Sequence, residues 1–204
     1  MGGRRRGFHP HGGSFQSRGV DHHAKVLLDL EDAFTGATRQ LSLRVPSMDA
    51  QGGVQSRSWT LSVKIPKGVR EGQLMRLAGQ GAPGIGGAPA GDLFLEVHFK
   101  PHDQLKVKGR NLHLTLPVAP WEAALGAVVS IDIPGGELKV RIPPGAQCGS
   151  ELRVRGKGIP ADPAGDVLLD IHVVLPPANT PKARELYETM ARELTFNPRL
   201  ERKG

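Results

Sequence analysis

The sequence predicts a mainly β fold: two tandem β-sandwich-like domains from an internal duplication, followed by a C-terminal amphipathic helix. Three observations carry that expectation. The phrase "VKIPKG" from Val63 returns as "VRIPPG" from Val140, inside an ungapped match of "VKIPKGVREGQLMRLAGQG" with "VRIPPGAQCGSELRVRGKG". Beyond that match the first copy runs three residues longer, and the two rejoin as "GDLFLEVHF" from Gly91 and "GDVLLDIHV" from Gly165. Short segments of period-two alternation, punctuated by Gly and Pro, recur through both copies, as the strands of a sandwich require. Two units are too few for a solenoid, which needs at least ~3 repeats to bury a continuous core. The organisation expected is a disordered linker at 1–20, a first β domain at 21–103, a second at 104–178, and a helix with its tail at 179–204.

Residues 1–19, "MGGRRRGFHPHGGSFQSRG", are glycine-rich with two phenylalanines and no periodicity, the composition of a linker. From Ala24 the pattern changes. Ala24, Val26 and Leu28 alternate with Lys25, Leu27 and Asp29 as a first strand. "LEDAFTG" reads as a turn or a single helical turn closed by Gly36. Arg39, Leu41, Leu43 and Val45 resume the alternation as a second strand. "WTLSVKIP" is a third, ended by Pro66, which cannot donate to a ladder. "QLMRLAG" is a fourth, and "GDLFLEVHF" a fifth with Leu93, Leu95, Val97 and Phe99 on one face. The second unit repeats the series as "NLHLTLPV", "AVVSIDI", "ELKVRIP", "ELRVRG" and "GDVLLDIHVVL". The Ile-Pro-x-Gly corners are architectural: proline presets the bend and glycine tolerates a positive φ.

The last element has no duplicate. "TPKARELYETMARELTF" offers Thr180 as N-cap and Pro181 at the first helical position. Ala183, Leu186, Tyr187, Met190 and Leu194 then share one face, with charges elsewhere, as far as Asn197-Pro198. Such a stripe must be covered, either by the second domain or by a second chain. Leu186, Tyr187, Met190 and Leu194 are the candidate dimerisation residues.

Composition narrows the function. No run of roughly 18 apolar residues is present, so no membrane span is expected. The basic N-terminus has no apolar stretch behind it and is not a secretory signal. A single cysteine, Cys148, makes neither an internal disulfide nor a cysteine cluster for zinc, which points to a cytoplasmic setting. The net charge of +7 is unevenly placed. Residues 1–20 hold four arginines and no acid, whereas 21–103 hold nine basic and nine acidic side chains, and 104–178 eight and seven. The folded body is nearly neutral, so a broad cationic groove is not implied.

No catalytic constellation emerges. His22 and His23 are neighbours on a strand and point to opposite faces. His98 and His172 recur at matched positions, two residues after Glu96 and Asp170 on the same strand face, but no nucleophile accompanies either. "GQGAPGIGGAPAG" (79–91) leads into a strand and lacks the Lys and Ser/Thr of a phosphate loop. A non-enzymatic protein with no cofactor and no bound metal is expected.

The tandem "V-[KR]-I-P-x-G" units, "LMRLAGQG" and "LRVRGKG", "GDLFLEVHFKPH" and "PVAPWEAALGA" together resemble the C-terminal substrate-binding region of DnaJ-type co-chaperones, from about Asp21 to Arg199. The absence of CxxCxGxG repeats is similar to the branch without a zinc insert, the curved-DNA-binding branch. "GFHPHGGSFQSRG" looks like the tail of the family's Gly/Phe linker. No J-domain with its His-Pro-Asp tripeptide is present, and "HPH" at His9 to His11 is no substitute. The resemblance therefore implies client binding without stimulation of a partner ATPase. It further implies a homodimer joined by the C-terminal helix, and a shallow apolar groove on the first domain where an extended peptide adds as a strand.

By position, Val26, Leu28, Leu41 and Leu43 would line that groove, while Arg39 would receive the acidic C-terminal tail of a DnaK-type ATPase. Alternating apolar residues on strands are also what a core requires, so both roles stand for these four. The function expected is a co-chaperone module that binds non-native polypeptides and such a tail. The alternative is a DNA-binding nucleoid-associated protein, supported by Arg153, Arg155 and Lys157, by Lys106, Lys108 and Arg110, and by the tail arginines. A third possibility, an inert assembly module, would bind neither.

Overall fold

The computed structural model describes residues 16–48 and 54–199. The chain is mainly β, and its element order is written twice. The first series is β1 (His22–Leu28), α1 (Leu30–Thr35), β2 (Ala37–Met48), β3 (Val54–Ile65), β4 (Leu74–Leu77) and β5 (Leu93–Phe99). After the short β6 (Leu105–Lys108) comes the second: β7 (Asn111–Val118), α2 (Pro120–Leu125), β8 (Ala127–Ile133), β9 (Gly136–Ile142), β10 (Glu151–Val154) and β11 (Val167–Val173). The chain then forms α3 (Pro181–Glu193). Among the described residues no helix is long and apolar enough to cross a membrane.

The sheets repeat as well. The first series forms a three-stranded sheet in the order β1-β5-β4 and a β2–β3 hairpin. The second forms the order β10-β11-β7, with β6 added outside β7, and a β8–β9 hairpin. β1 runs parallel to β5, and β4 antiparallel to it. Alternation decides what is buried. Val26 and Leu28 of β1, Leu93, Leu95 and Val97 of β5, and Val63 and Ile65 of β3 are core, together with Leu30, Ala33 and Phe34 of α1. Each of these Val, Leu, Ile and Phe side chains contributes about 1.5–3 kcal/mol when removed from water. Leu112, Leu116, Val118, Val140, Ile142, Val167, Leu169 and Ile171 are buried in the second series.

The repeated corner phrase ties strand to helix. Gly68 and Gly145 have φ of 83° and 77°, which favour glycine. Their N–H groups donate to Ala33 O at 2.8 Å and Ala124 O at 3.1 Å. Each short helix thus gains a partner for carbonyls that its own turns leave unmatched.

Three features depart from the expectations. β6 is a strand beyond those the alternation indicates, formed by a segment whose Lys106 and Lys108 stand out as charges. The β2–β3 hairpin is longer than its alternation indicated, reaching Met48 and Val54. The linker does not run to residue 20: Ser17 and Ile85 exchange backbone hydrogen bonds of 3.2 and 2.9 Å, Gly19 N donates to Pro89 O at 3.0 Å, and Ala82 N to Val20 O at 2.9 Å. Residues 1–15 lie outside the described residues. Spatial proximity divides the chain into two compact units, Met1–Leu114 with Asp132–Leu138 and Arg153–Leu168, and Thr115–Ile131 with Lys139–Leu152 and Leu169–Gly204. That division differs from the one by repeat, because β7, β10 and β11 each give residues to both units.

Candidate functional site

Parallel pairing fixes which peptide groups of β1 are left over. His22 N donates to Asp92 O at 2.8 Å, and Leu28 O accepts from Lys100 N at 2.9 Å. In a parallel ladder alternate residues serve the same neighbour, so His22, Ala24, Val26 and Leu28 face β5. The N–H and C=O groups of His23, Lys25 and Leu27 face the other way, where no described strand pairs with β1. The matched edge of β7 is different. β6 pairs Lys106 with His113, the match of His23, and Lys108 with Asn111, the match of Asp21. Further along, Pro117 stands where β1 has Leu27 and has no N–H to offer. The first copy of the edge is open at all three residues, while the second is paired at His113 and lacks a donor at Pro117.

The expected groove residues take different places. Val26 and Leu28 are 3% and 2% exposed; they point into the core and can supply only the floor beneath the edge. Leu27, between them, is 63% exposed. Leu41 is half-buried on β2, opposite Leu61 of β3. Leu43 lies opposite Trp59 in the same ladder, and its side chain is outside the described set. β2 pairs only with β3 among the described strands, so it too has an unpaired edge.

Arg39 is already engaged. Its Nε and Nη2 donate to the two carboxylate oxygens of Asp32 at 2.9 and 2.7 Å, and Nη2 reaches Asp29 at 2.9 Å. Lys100 Nζ lies 2.8 Å from the other Asp29 oxygen. The cluster joins the ends of β1, α1, β2 and β5. The hydrogen bond from Lys100 holds the Asp29 carboxyl below its usual range, aided by the charges of Lys100 and Arg39. Asp32 in turn raises the Arg39 guanidinium above its ordinary value. The Arg39 side chain is 42% exposed, so an acidic ligand could meet it beside these carboxylates or by exchanging with one of them. In the second copy Ala119, Val129 and Val174 stand for Asp29, Arg39 and Lys100, and the match of Asp32, Glu122, accepts from Ala119 N at 2.7 Å instead, so the charge cluster has no counterpart there.

Two buried carboxylates escaped the sequence reading. Asp92 accepts from Gly79 N at 2.8 Å, Arg76 Nε at 2.8 Å and Arg18 Nη2 at 2.9 Å, while its own N–H donates to Asp21 at 2.7 Å. Asp166 accepts from Gly156 N at 2.7 Å and Arg153 Nε at 2.6 Å, and its N–H donates to Asn111 at 2.9 Å. The backbone bonds from Gly79 and Gly156, followed by the arginine partners, hold both carboxyls below the ordinary range. Their signal was visible as the one acid at the head of both "GD" segments.

Of the candidate DNA contacts, Arg153 is therefore held by Asp166, while Arg155 and Lys157 are exposed. Lys106 and Lys108 are exposed on β6, and Arg110 donates to Pro163 O at 3.1 Å. His98 sits between Glu71, at 2.6 Å from Nδ1, and Glu96, at 3.0 Å from Nε2. In the second copy Cys148 Sγ lies 3.9 Å from His172 Nδ1. Among the described residues no three His, Cys, Asp or Glu side chains are grouped to hold a metal.

Thr180 caps α3 by accepting from Ala183 N at 3.1 Å. Tyr187, half-buried, donates from its hydroxyl to Pro176 O at 2.7 Å. Leu186, Met190 and Leu194 are 59%, 46% and 58% exposed, and no α3 residue is buried.

The DnaJ C terminal domain model matches residues 22–176. The chain belongs to that family. Curved DNA-binding proteins are similar to it: that of Coxiella burnetii (strain RSA 493 / Nine Mile phase I) is 49% identical over 93% of this chain, and that of Pseudomonas putida (strain KT2440 among them) 40% identical over 98%. That of Pseudomonas syringae pv. tomato is 38% identical over 92%. The chain spans 61%, 65% and 60% of the lengths of these relatives. In this DnaJ C-terminal domain the matched segment runs from the first residue of β1 to the connector before α3, and so includes both copies of the edge.

Proposed function

We propose that this chain is a non-enzymatic co-chaperone module that binds non-native polypeptides by adding an extended peptide to the β1 edge. The observation that carries this reading is the contrast between the two copies: the peptide groups of His23, Lys25 and Leu27 have no strand partner on β1, while on the matched edge of β7 β6 covers His113 and Pro117 lacks a donor. Backbone pairing recognises no particular sequence, and Leu27, exposed on β1 itself, offers apolar contact beside it. That combination suits unfolded chains, which present both free peptide groups and exposed apolar side chains.

Two further interactions belong to the same proposal. The acidic tail of a DnaK-type ATPase docks at Arg39, taking the place of Asp29 or Asp32 on the guanidinium. Two chains associate through Leu186, Met190 and Leu194, with Tyr187 anchoring α3 to its own chain. The setting is cytoplasmic.

The test is fluorescence anisotropy with a labelled, unstructured apolar peptide, an acidic-tail peptide and a DNA duplex, each at low and high salt. Saturable, salt-insensitive binding of the apolar peptide, lost in Leu27→Pro, is the expected result. That variant copies into β1 the residue tolerated at Pro117, so folding is retained. Apolar peptide binding that survives Leu27→Pro would reject the edge as its site.

DNA binding is the second reading, favoured by the exposed Arg155, Lys157, Lys106 and Lys108 and by the names of the relatives. Phosphate neutralisation makes such binding fall steeply with salt. Binding of the duplex alone, abolished by salt, would put this reading first.

A further inference from the structure

The segment before β1 and the segment before β7 are copies of one another with different partners. "QSRGVD" (16–21) aligns with "KVKGRN" (106–111), so Gln16 matches Lys106, Ser17 matches Val107, Arg18 matches Lys108, and Gly19 matches Gly109. The common part of the fold is kept in both. Ala82 N donates to Val20 O at 2.9 Å as Ile159 N does to Arg110 O, and Asp21 holds Asp92 N as Asn111 holds Asp166 N. The paths then diverge. In the second copy the segment turns back as β6 and pairs with His113 and Asn111. In the first copy Ser17 instead exchanges two backbone hydrogen bonds with Ile85, and Arg18 reaches Asp92 at 2.9 Å and Asp21 at 3.4 Å.

The partner of Ser17 is an insertion. The loop "APGIGGAPAG" (82–91) matches "IPADPAG" (159–165) if Ile85, Gly86 and Gly87 are extra. The residue that captures the segment is therefore one that the second copy lacks. The first copy carries the parts for the other path: Gly19 stands where Gly109, at φ 63°, makes the hairpin turn, and His23 and Asp21 match the residues that β6 pairs with on β7.

We propose that Gln16–Arg18 is a strap with two docking positions, on the loop at Ile85 and on the β1 edge, and that the insertion Ile85–Gly87 determines whether that edge is open to peptide. On the loop, the strap leaves His23 unpaired. On the edge, Gln16 pairs with His23 and Arg18 with Asp21, as Lys106 and Lys108 pair with His113 and Asn111. The consequence for ligand binding rests on the reading of β1 as the peptide-binding edge; the two positions of the strap do not.

The experiment deletes Ile85–Gly87, leaving the loop at the length the second copy already uses, and follows amide hydrogen exchange together with apolar-peptide anisotropy on the full chain. Deletion is expected to slow exchange at the His23 amide by about tenfold or more, and to weaken peptide binding by a factor of similar order. Adding Gln16→Pro removes the N–H that donates to His23 O, one of the two bonds of the pair, and by weakening the docked strap is expected to reverse both effects in large part. The Val97 amide, bonded to Gln73 O at 2.9 Å, reports that the sheet is intact. Unchanged His23 exchange on deletion, or slowed exchange that Gln16→Pro does not restore, overturns the strap. Absence of peptide binding in the wild type overturns the proposed function instead, and His23 exchange still decides where the strap sits.

Discussion

Arg39 and Asp32 form a two-point ion pair, Nε and Nη2 each meeting one carboxylate oxygen, with Asp32 only 5% exposed. Removing the guanidinium leaves a buried carboxylate without its donors, the costly way to break such a pair. Arg39→Ala is therefore expected to lower the melting temperature by roughly 2–5 °C. Arg39→Lys should lower it less, and Asp32→Asn added to Arg39→Ala should recover part of the loss. Calorimetry on the four proteins checks the order. Tail-peptide affinity then has to be read on Arg39→Lys, where the fold is least disturbed.

Acid should unfold the chain through its depressed carboxyls. Asp29, Asp92 and Asp166 all lie below the ordinary value of 3.8. Between the folded and unfolded values the unfolded chain binds more protons, so stability rises with pH there. The contribution is fully present above the unfolded value and is lost as pH falls through the folded ones. Urea denaturation at neutral pH and at successive steps below about pH 4 should show this decline, with a flatter acid limb in Asp166→Asn.

Gly91 and Gly165 are expected to resist any side chain. A Cβ on Gly91 would stand 2.3 Å from Val20 O, and one on Gly165 1.8 Å from Arg110 O, in each case against backbone. Alanine at either position should cost about 1–3 kcal/mol or more, measured by chemical denaturation. The Gly165→Ala variant should be the worse of the two, since its contact is closer.

The apolar stripe of α3 can be tested apart from folding. Because no α3 residue is buried, Leu186→Asp with Met190→Asp should leave the thermal transition of the monomeric species unchanged. Sedimentation velocity should show the wild type as a dimer and the variant as a monomer. Equal sedimentation of both would remove α3 from the association.

Much of the architecture was legible because it is written in side chains. The repeated corner phrase, the alternation through Leu93, Leu95 and Val97, and the Thr180-Pro181 helix start are all patterns of residue type. The open edge was not legible, for a physical reason: an edge consists of peptide groups, which every residue carries. Reading Val26 and Leu28 as groove residues took the inward half of an alternation that also builds the core. β6 was hidden because Lys106, Lys108 and Arg110 dominate a segment with two apolar residues, Leu105 and Val107. Asp92 and Asp166 were missed because their partners come from distant segments, Arg18 among them.

Closing one edge of a duplicated pair also changes the valence of the chain toward its own kind. Two equivalent open edges per molecule would let each copy bond on both sides, and such bonding propagates into filaments. With β6 and Pro117 capping part of the second, pairing through this duplicated edge alone terminates at two molecules. The duplication thus keeps one copy of the edge available while blunting head-to-tail growth between the two copies.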